Sequence, residues 1–462
     1  MSESRRRRWG RFLFGLAWGG ALWFGLRIGC SAFDTNPEHL TGLFGLAYLA
    51  AWGPFFALSR LEPIGKAARF TLCTASIALS FAALEVPAAL ELIDYRTVFA
   101  TPTPPWQRTG NRPDPDLIYV REGHQRTRFR YDGAELYGLR GAKPWQRYNC
   151  ELALDADGFR NPTDADKADV IVVGDSFIEG LHVEAPELMT ARLTEALGQR
   201  VVNLGRTGYG PQQERNVLVR HGLDLAPRTC VWAFYEGNDL QDLHEFDANQ
   251  KNLKWILDDR RSRSFYSRCF LRNSLGFAIR RWLRPDPTRP AEAYAGRFTD
   301  RAGDDVTIYF STGIQHGDGG PELPRGDSAE LKRVEAILAE AHALCADRGI
   351  ELVVAFIPAK FRVYHDLCQF TEDSPCRDWP IDDLPDVLGR AVAAISPEIG
   401  YVDLTRPLRD SARAGSLVYL PDDTHWSAQG HQVAADAIAA RLSGRPASPR
   451  DVFASRRRLT DR

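Results

Sequence analysis

Three long apolar runs open the chain, and a different pattern follows them. The runs span about Phe12 to Phe33, Leu40 to Leu58 and Phe70 to Leu92. Each approaches the ~20 residues an α-helix needs to cross ~30 Å of hydrocarbon. Arg27 lies near the far end of the first run, where a long side chain can snorkel, and Glu85 and Glu91 fall late in the third. A cleaved signal peptide is the rival for the first run. The run is long and two more follow directly, so the pattern predicts three transmembrane helices within residues 1–96.

From residue 169 onward short apolar runs alternate with amphipathic ones. Val170-Ile171-Val172-Val173 reads as a buried strand ended by Gly174-Asp175-Ser176. A helix from Glu187 to Leu197 stops at Gly198, and Arg200 to Leu204 is the next strand. Pro211 opens the second helix, and Cys230 to Tyr235 is the third strand, ended by Glu236-Gly237-Asn238-Asp239. The pattern is lost over 240–324, which is expected to be an insertion or lid. It returns with Asp327-Ser328 capping a helix, a strand at Glu351–Ile357, a helix at Leu384–Ile395, a short strand at Gly400–Leu404 and a helix at Ala428–Leu442. Strands alternating with helices predict an α/β fold with a parallel sheet. Residues 97–168 read as linker and lead-in, 169–443 as the main soluble domain (with 240–324 as its insertion) and 444–462 as a basic tail.

Charge sharpens the topology more than the function. The formal net charge of −2 over 462 residues gives no reason to expect nucleic acid as a partner. Arg5-Arg6-Arg7-Arg8 belongs in the cytoplasm, the first connection (34–39) carries no Lys or Arg, and the second carries Arg60, Lys66 and Arg69. The third helix therefore exits, and everything after about Asp94 is expected outside the cytoplasm. Cys30 and Cys73 read as apolar packing residues, and Cys230 as buried. No Cys or His spacing suggests a metal site, and Cys368 with Cys376 is the candidate disulfide.

In open α/β sheets chemistry sits beyond the carboxyl ends of strands, which is where Ser176 falls. Alone, Gly-Asp-Ser is a polar turn. A serine hydroxyl needs a base in reach, and His425 is the candidate, with Asp422 and Asp423 both close enough to hold its tautomer. An oxyanion would need donors, and Gly208 can offer a backbone N–H and Asn238 a side-chain amide. His182 reads as a surface residue, His431 as exposed, and Lys360 and Arg362 as surface cations; Lys360 and Tyr364 are candidate substrate contacts.

Gly174-Asp175-Ser176, Gly208, Gly237-Asn238-Asp239 and a C-terminal Asp–His pair resemble, in order, the blocks of the SGNH (GDSL) hydrolase superfamily. The resemblance covers about Asp169 to Leu442 and implies a three-layer α/β/α domain. It further implies Ser176 as nucleophile, His425 as base, and an oxyanion hole from Ser176, Gly208 and Asn238. The common spacing, Asp-x-x-His, selects Asp422. Asp423-Thr424-His425-Trp426 and Pro358-Ala359-Lys360 instead resemble the alginate O-acetyltransferase-like branch, which selects Asp423. The expected function is a membrane-anchored serine esterase acting outside the cytoplasm on acylated carbohydrate, without cofactor or metal. The alternatives are a polysaccharide O-acetyltransferase, a lipid esterase and a non-catalytic envelope-binding module.

Overall fold

The structure, a computed structural model, describes residue 52 and residues 59–444 apart from 100, 102–103, 109, 132–138, 144, 146–147, 259–264, 284–288 and 311–327. The first apolar run, the second apart from Trp52, the Arg5–Arg8 cluster and residues 445–462 of the basic tail lie outside the described residues. Two compact units result, one from Pro105–Leu257 with Pro287–Arg462 and one from Met1–Pro104 with Asp258–Asp286.

The larger unit is built on five parallel strands: β1 (Val170–Gly174), β2 (Val201–Gly205), β3 (Thr229–Tyr235), β4 (Glu351–Ile357) and β5 (Gly400–Asp403). Their order is β5-β4-β3-β1-β2. Every residue of β1 and β3 is buried, as expected for strands covered on both faces. Alternate residues serve opposite faces. Ile171, Val173, Cys230, Trp232, Val354 and Phe356 join one core, while Val170, Val172, Val231, Ala233, Val353 and Ala355 join the other.

Helices cover both faces. α1 (Met189–Leu197) contributes Met189 and Leu193 to the second core. α2 (Pro211–Val217), α3 (Asp239–Lys251), α4 (Ala329–Ala346) and α5 (Leu384–Ile395) contribute Val217, Leu243, Leu338 and Leu388 to the first. α6 (Ala428–Leu442) returns to the second face with Val433, Ala434 and Ile438. Local chemistry sets the ends. Gly198 closes α1 in the left-handed region at φ +64, and the Ser328 and Ser427 side chains cap α4 and α6. The three-layer α/β/α order is therefore observed, and it reverses direction between β1 and β3. Such a reversal opens a crevice at the carboxyl ends of those two strands.

The lead-in is β structure: Asn111–Asp114 pairs with Ile118–Arg121, and Arg126–Tyr131 pairs with Tyr148–Ala153, both antiparallel. The 240–324 stretch is not one piece. Its start is helix α3, Asp258–Asp286 belongs to the other unit, and Ala295–Thr299 and Asp305–Tyr309 form a hairpin extended by Gln369–Phe370.

In the smaller unit the Pro63–Ala89 helix holds one segment, Ile64–Ala89, long and apolar enough to cross a membrane. Glu85 on this helix accepts from the main-chain N–H of Phe270 and of Leu271, both at 2.7 Å, and so satisfies the first donors of the Phe270–Leu283 helix. Phe270 also meets Tyr95 and Phe99 edge-on, at 5.2 and 5.5 Å. A segment read as patternless is ordered here by a carboxylate 185 residues away.

Candidate active site

Ser176 is the first residue of a short helix directly after β1, with the Asp175 side chain capping it by accepting from Phe177 N at 2.9 Å. Its Oγ lies 2.7 Å from His425 Nε2. His425 Nδ1 lies 2.6 Å from Asp423 Oδ1, which also accepts the His425 main-chain N–H at 2.8 Å. With Nδ1–H donated to the carboxylate, Nε2 is the acceptor for the serine hydroxyl. Asp423, His425 and Ser176 are all buried. The chain joins two loops 249 residues apart.

The Asp-x-His loop is held from several sides. Leu420 N donates to His425 O at 2.9 Å, and Tyr419 bridges Trp426. Lys360 Nζ donates to the Asp423 carbonyl at 2.8 Å, and Tyr235 Oη lies 3.1 Å from Thr424 Oγ1. Phe177 lies against the His425 ring at 5.1 Å and meets Trp426 edge-on at 5.0 Å. Asp422 faces elsewhere: its Oδ2 accepts from Trp145 N at 2.8 Å, and burial raises its carboxyl above the usual range. Between the two acids, only Asp423 is hydrogen-bonded to His425.

Gly208 has φ +76, a backbone that a side chain would strain, and a Cβ there would stand 3.1 Å from Tyr119 Oη. The preceding residue is pinned: Thr207 N and Oγ1 reach Glu179 Oε2 at 2.8 and 2.5 Å. Glu179 is fully buried and also contacts Arg206 Nη1 at 3.1 Å and Arg121 Nη1 at 2.7 Å. Burial works to raise the Glu179 pKa, and Arg121 and Arg206 overcome it, leaving the carboxylate below its usual value. Asn238 stands at the start of α3, half-buried, and its carboxamide oxygen makes no hydrogen bond among the described residues. Behind these groups lie more acids. Burial pushes Asp175 up to about 6, and burial with neighbouring carboxylates raises Glu214, Asp239 and Asp242 well above their ordinary values.

Several expectations are corrected. His182 is buried, because Arg160 gathers its loop by donating to the carbonyls of Glu179, Gly180 and Val183. Its ring stacks on His425 with centroids 4.4 Å apart and planes 23° apart, and its Nε2 lies 3.6 Å from Asp423 Oδ2. His431 is also buried, its Nδ1 accepting from Met189 N at 3.2 Å. Lys360 and Arg362 are buried as well. Lys360 serves the Asp423 carbonyl, and Arg362 pairs with Glu236 and Asp382. Tyr364 is not placed for substrate: it is wholly buried, accepting from Val418 N at 2.8 Å and donating to Ser416 O at 3.3 Å. No disulfide joins Cys368 and Cys376. Each belongs to its own turn, Cys368 closing on Tyr364 O and Cys376 donating to Ser374 Oγ, and burial pushes the Cys368 thiol up to about 12.

Among the described residues, His182, Asp423 and His425 bring candidate ligand atoms within 4.8 Å of one another. The ring geometry does not suit a metal. Near-parallel stacked imidazoles direct their in-plane lone pairs along separate parallel planes, so no single point lies on both.

The fold and the site together define an α/β domain of doubly wound order with a buried serine–histidine–aspartate chain at its switch point. Residues 320–460 match the family described as SGNH hydrolase-like domain, acetyltransferase AlgX. A curated protein of Azotobacter vinelandii, described as "Probable alginate O-acetylase AlgJ", is 32% identical over 110 residues, 23% of this chain and 26% of that protein. The match thus spans about a quarter of that relative's length. A solved structure from Desulfitobacterium hafniense, assigned to the G-D-S-L lipolytic family, is 12% identical and covers 59% of this chain and 98% of its own, with a TM-score of 0.28. The fold assignment accordingly rests on the sheet itself. The chain is similar to the SGNH hydrolase superfamily, with features of its alginate O-acetyltransferase-like branch.

Proposed function

We propose that this chain is a membrane-anchored enzyme that transfers or hydrolyses acyl esters outside the cytoplasm, with Ser176 as nucleophile, His425 as base and Asp423 as the acid that orients it. The observation that carries the reading is the hydrogen-bonded chain of Ser176 Oγ, His425 Nε2 and Nδ1, and Asp423 Oδ1 at 2.7 and 2.6 Å. A hydroxyl at neutral pH becomes a nucleophile when a base takes its proton as it attacks, and the buried carboxylate stabilises the imidazolium that forms.

In the proposed sequence Ser176 Oγ adds to the acyl carbonyl carbon and its proton passes to His425 Nε2. The oxyanion is held by the main-chain N–H groups of Ser176 and Gly208 and by the Asn238 amide. Collapse breaks the ester bond, and His425 returns the proton to the departing alkoxide. A second hydroxyl, from water or from a carbohydrate, then adds to the acyl carbon as its proton passes to His425; collapse breaks the acyl–Oγ bond, and His425 returns that proton to Ser176 Oγ. The relatives' descriptions as acetyltransferase and O-acetylase favour transfer to a carbohydrate hydroxyl over hydrolysis.

The anchor is proposed as three transmembrane helices within residues 1–96, of which Ile64–Ala89 is the described one. The Arg5–Arg8 cluster and the basic second connection favour a cytoplasmic N-terminus. A reporter fused after Ala100 is expected to signal from outside the cytoplasm; a cytoplasmic signal contradicts the placement. The activity is tested with acetyl-ester donors, with and without carbohydrate acceptors, on the full chain in detergent. Acetate release lost in Ser176→Ala and acetylated acceptor formed in the wild type are the expected results. Acetate release without acceptor product assigns a hydrolase, and no turnover of any ester contradicts the reading.

A further inference from the structure

We propose that residues 265–283 of the smaller unit form an interfacial membrane element, seated in the headgroup layer of a phospholipid bilayer at the Ala89 end of the Ile64–Ala89 segment. The proposal rests on the membrane anchoring proposed above and does not depend on the catalytic site.

Glu85 sets the depth. It lies ~32 Å along the helix from Ile64 at 1.5 Å per residue, which matches ~30 Å of hydrocarbon. Its carboxylate accepts from the main-chain N–H groups of Phe270 and Leu271, each at 2.7 Å. The first turn of the Phe270–Leu283 helix is thereby held where hydrocarbon gives way to headgroups. Fourteen residues make a helix of about 21 Å, too short to cross the bilayer. Arg272 and Asn273 in its first turn also disfavour the hydrocarbon. A helix of this length and composition, starting at that boundary, lies on the membrane rather than through it.

Packing keeps the element in place. Phe270 lies among Phe81, Tyr95 and Phe99, at 6.3, 5.2 and 5.5 Å, and Phe277 reaches Phe99 at 5.8 Å. Thr101 Oγ1 donates to Asn273 Oδ1 at 2.9 Å, and Arg268 Nη2 donates to Glu91 Oε1 at 3.1 Å.

The surface that remains suits a lipid interface. Leu90 and Leu92, directly after the membrane segment, are 63% and 74% exposed, and Val98, Phe265 and Phe277 are exposed with them. Apolar exposure thus continues past the end of the membrane segment onto the helices packed beside it. Water would leave these groups unburied. The Phe265–Arg268 and Phe270–Leu283 helices contain four arginines and no Asp or Glu. Exposed rings and leucines beside arginines fit the boundary between acyl chains, which take the apolar groups, and phosphates, which pair with guanidinium.

The test introduces the photo-crosslinking residue p-benzoylphenylalanine at one position at a time. The full chain is reconstituted in vesicles of phosphatidylethanolamine and phosphatidylglycerol. Phe265 and Phe277 are the test positions; Leu79, exposed on the membrane segment, and Val219, exposed on the larger unit, are the references. Mass spectrometry identifies what each probe captures after illumination. We expect lipid adducts at Phe265 and Phe277 comparable to that at Leu79 and at least about tenfold above that at Val219. A lipid adduct at Leu79 with none at Phe265 and Phe277 overturns the proposal and leaves the anchor standing. Capture of another segment of the chain at Phe265 and Phe277, in place of lipid, overturns it as well and assigns the face to protein. Failure of the anchoring looks different: Leu79 would then capture no lipid, and the proposal falls with it.

Discussion

Lys360 and Asp423 meet across 63 residues of chain, the ammonium donating to the main-chain carbonyl at 2.8 Å inside the protein. The contact ties the end of β4 to the loop that carries His425. Lys360→Met keeps the aliphatic length and removes the donor, leaving a buried carbonyl without its partner at a cost of about 1–3 kcal/mol. The expected outcome is a lowered melting temperature together with slower Ser176 labelling. A variant of unchanged stability and labelling contradicts this role.

The adjacent acids Asp422 and Asp423 are separable by mutation. Asp423→Asn removes the acceptor that holds the His425 tautomer and is expected to lower kcat by about 10⁴-fold. Asp422→Asn leaves the hydrogen bond between Asp423 and His425 in place and should cost less than about tenfold. Ester turnover of the two variants decides the matter, and a larger loss in Asp422→Asn reverses the assignment.

Glu179 holds the Gly208 loop through Thr207 while pairing with Arg206 and Arg121. Breaking a buried pair of this kind by removing one partner costs about 3–5 kcal/mol. Glu179→Gln is therefore expected to lower thermal stability, and in the surviving folded protein to lower kcat through a loosened Gly208. Chemical denaturation and turnover check both halves.

The buried acids and the buried histidines pull the pH dependence of stability in opposite directions: His182 and His431 are held neutral by burial, so their share is full above 6.5 and is lost as pH falls. The Asp175 carboxyl is raised by burial from 3.8 to about 6, so the folded state binds more protons than the unfolded state in that window. Its stabilising contribution is full below 3.8 and is lost as pH rises through about 6. Glu179 has the opposite sign: its stabilisation is full above its ordinary 4.5 and is lost as pH falls through its lower folded value. Asp175→Asn is thus expected to shift the melting temperature at pH 7.5 upward relative to that at pH 5, compared with the wild type, because it removes a contribution present only at the lower pH.

Much of the sheet was legible in the sequence because strand and helix signals are local. The β-branched run at Val170, the Pro211 helix start, the Ser328 cap and the Ala428–Leu442 helix stand where the pattern placed them. Ser176 was legible because it follows β1 directly, and Asp423 and His425 because their loop lies just before α6. What was missed depends on partners distant in sequence. His182 reads as a surface loop residue until Arg160 draws its loop inward. Arg362 reads as a solvated cation until Glu236, 126 residues away, is folded against it. No local periodicity reports such pairs.

The central claim is that Ser176 is made nucleophilic by His425. Fluorophosphonate labelling of the full chain, followed by mass spectrometry of the labelled peptide, tests it most directly. One adduct is expected on Ser176, absent in Ser176→Ala and slowed at least about 100-fold in His425→Ala. Well-folded wild-type protein that takes up no label, or labels equally without His425, contradicts it.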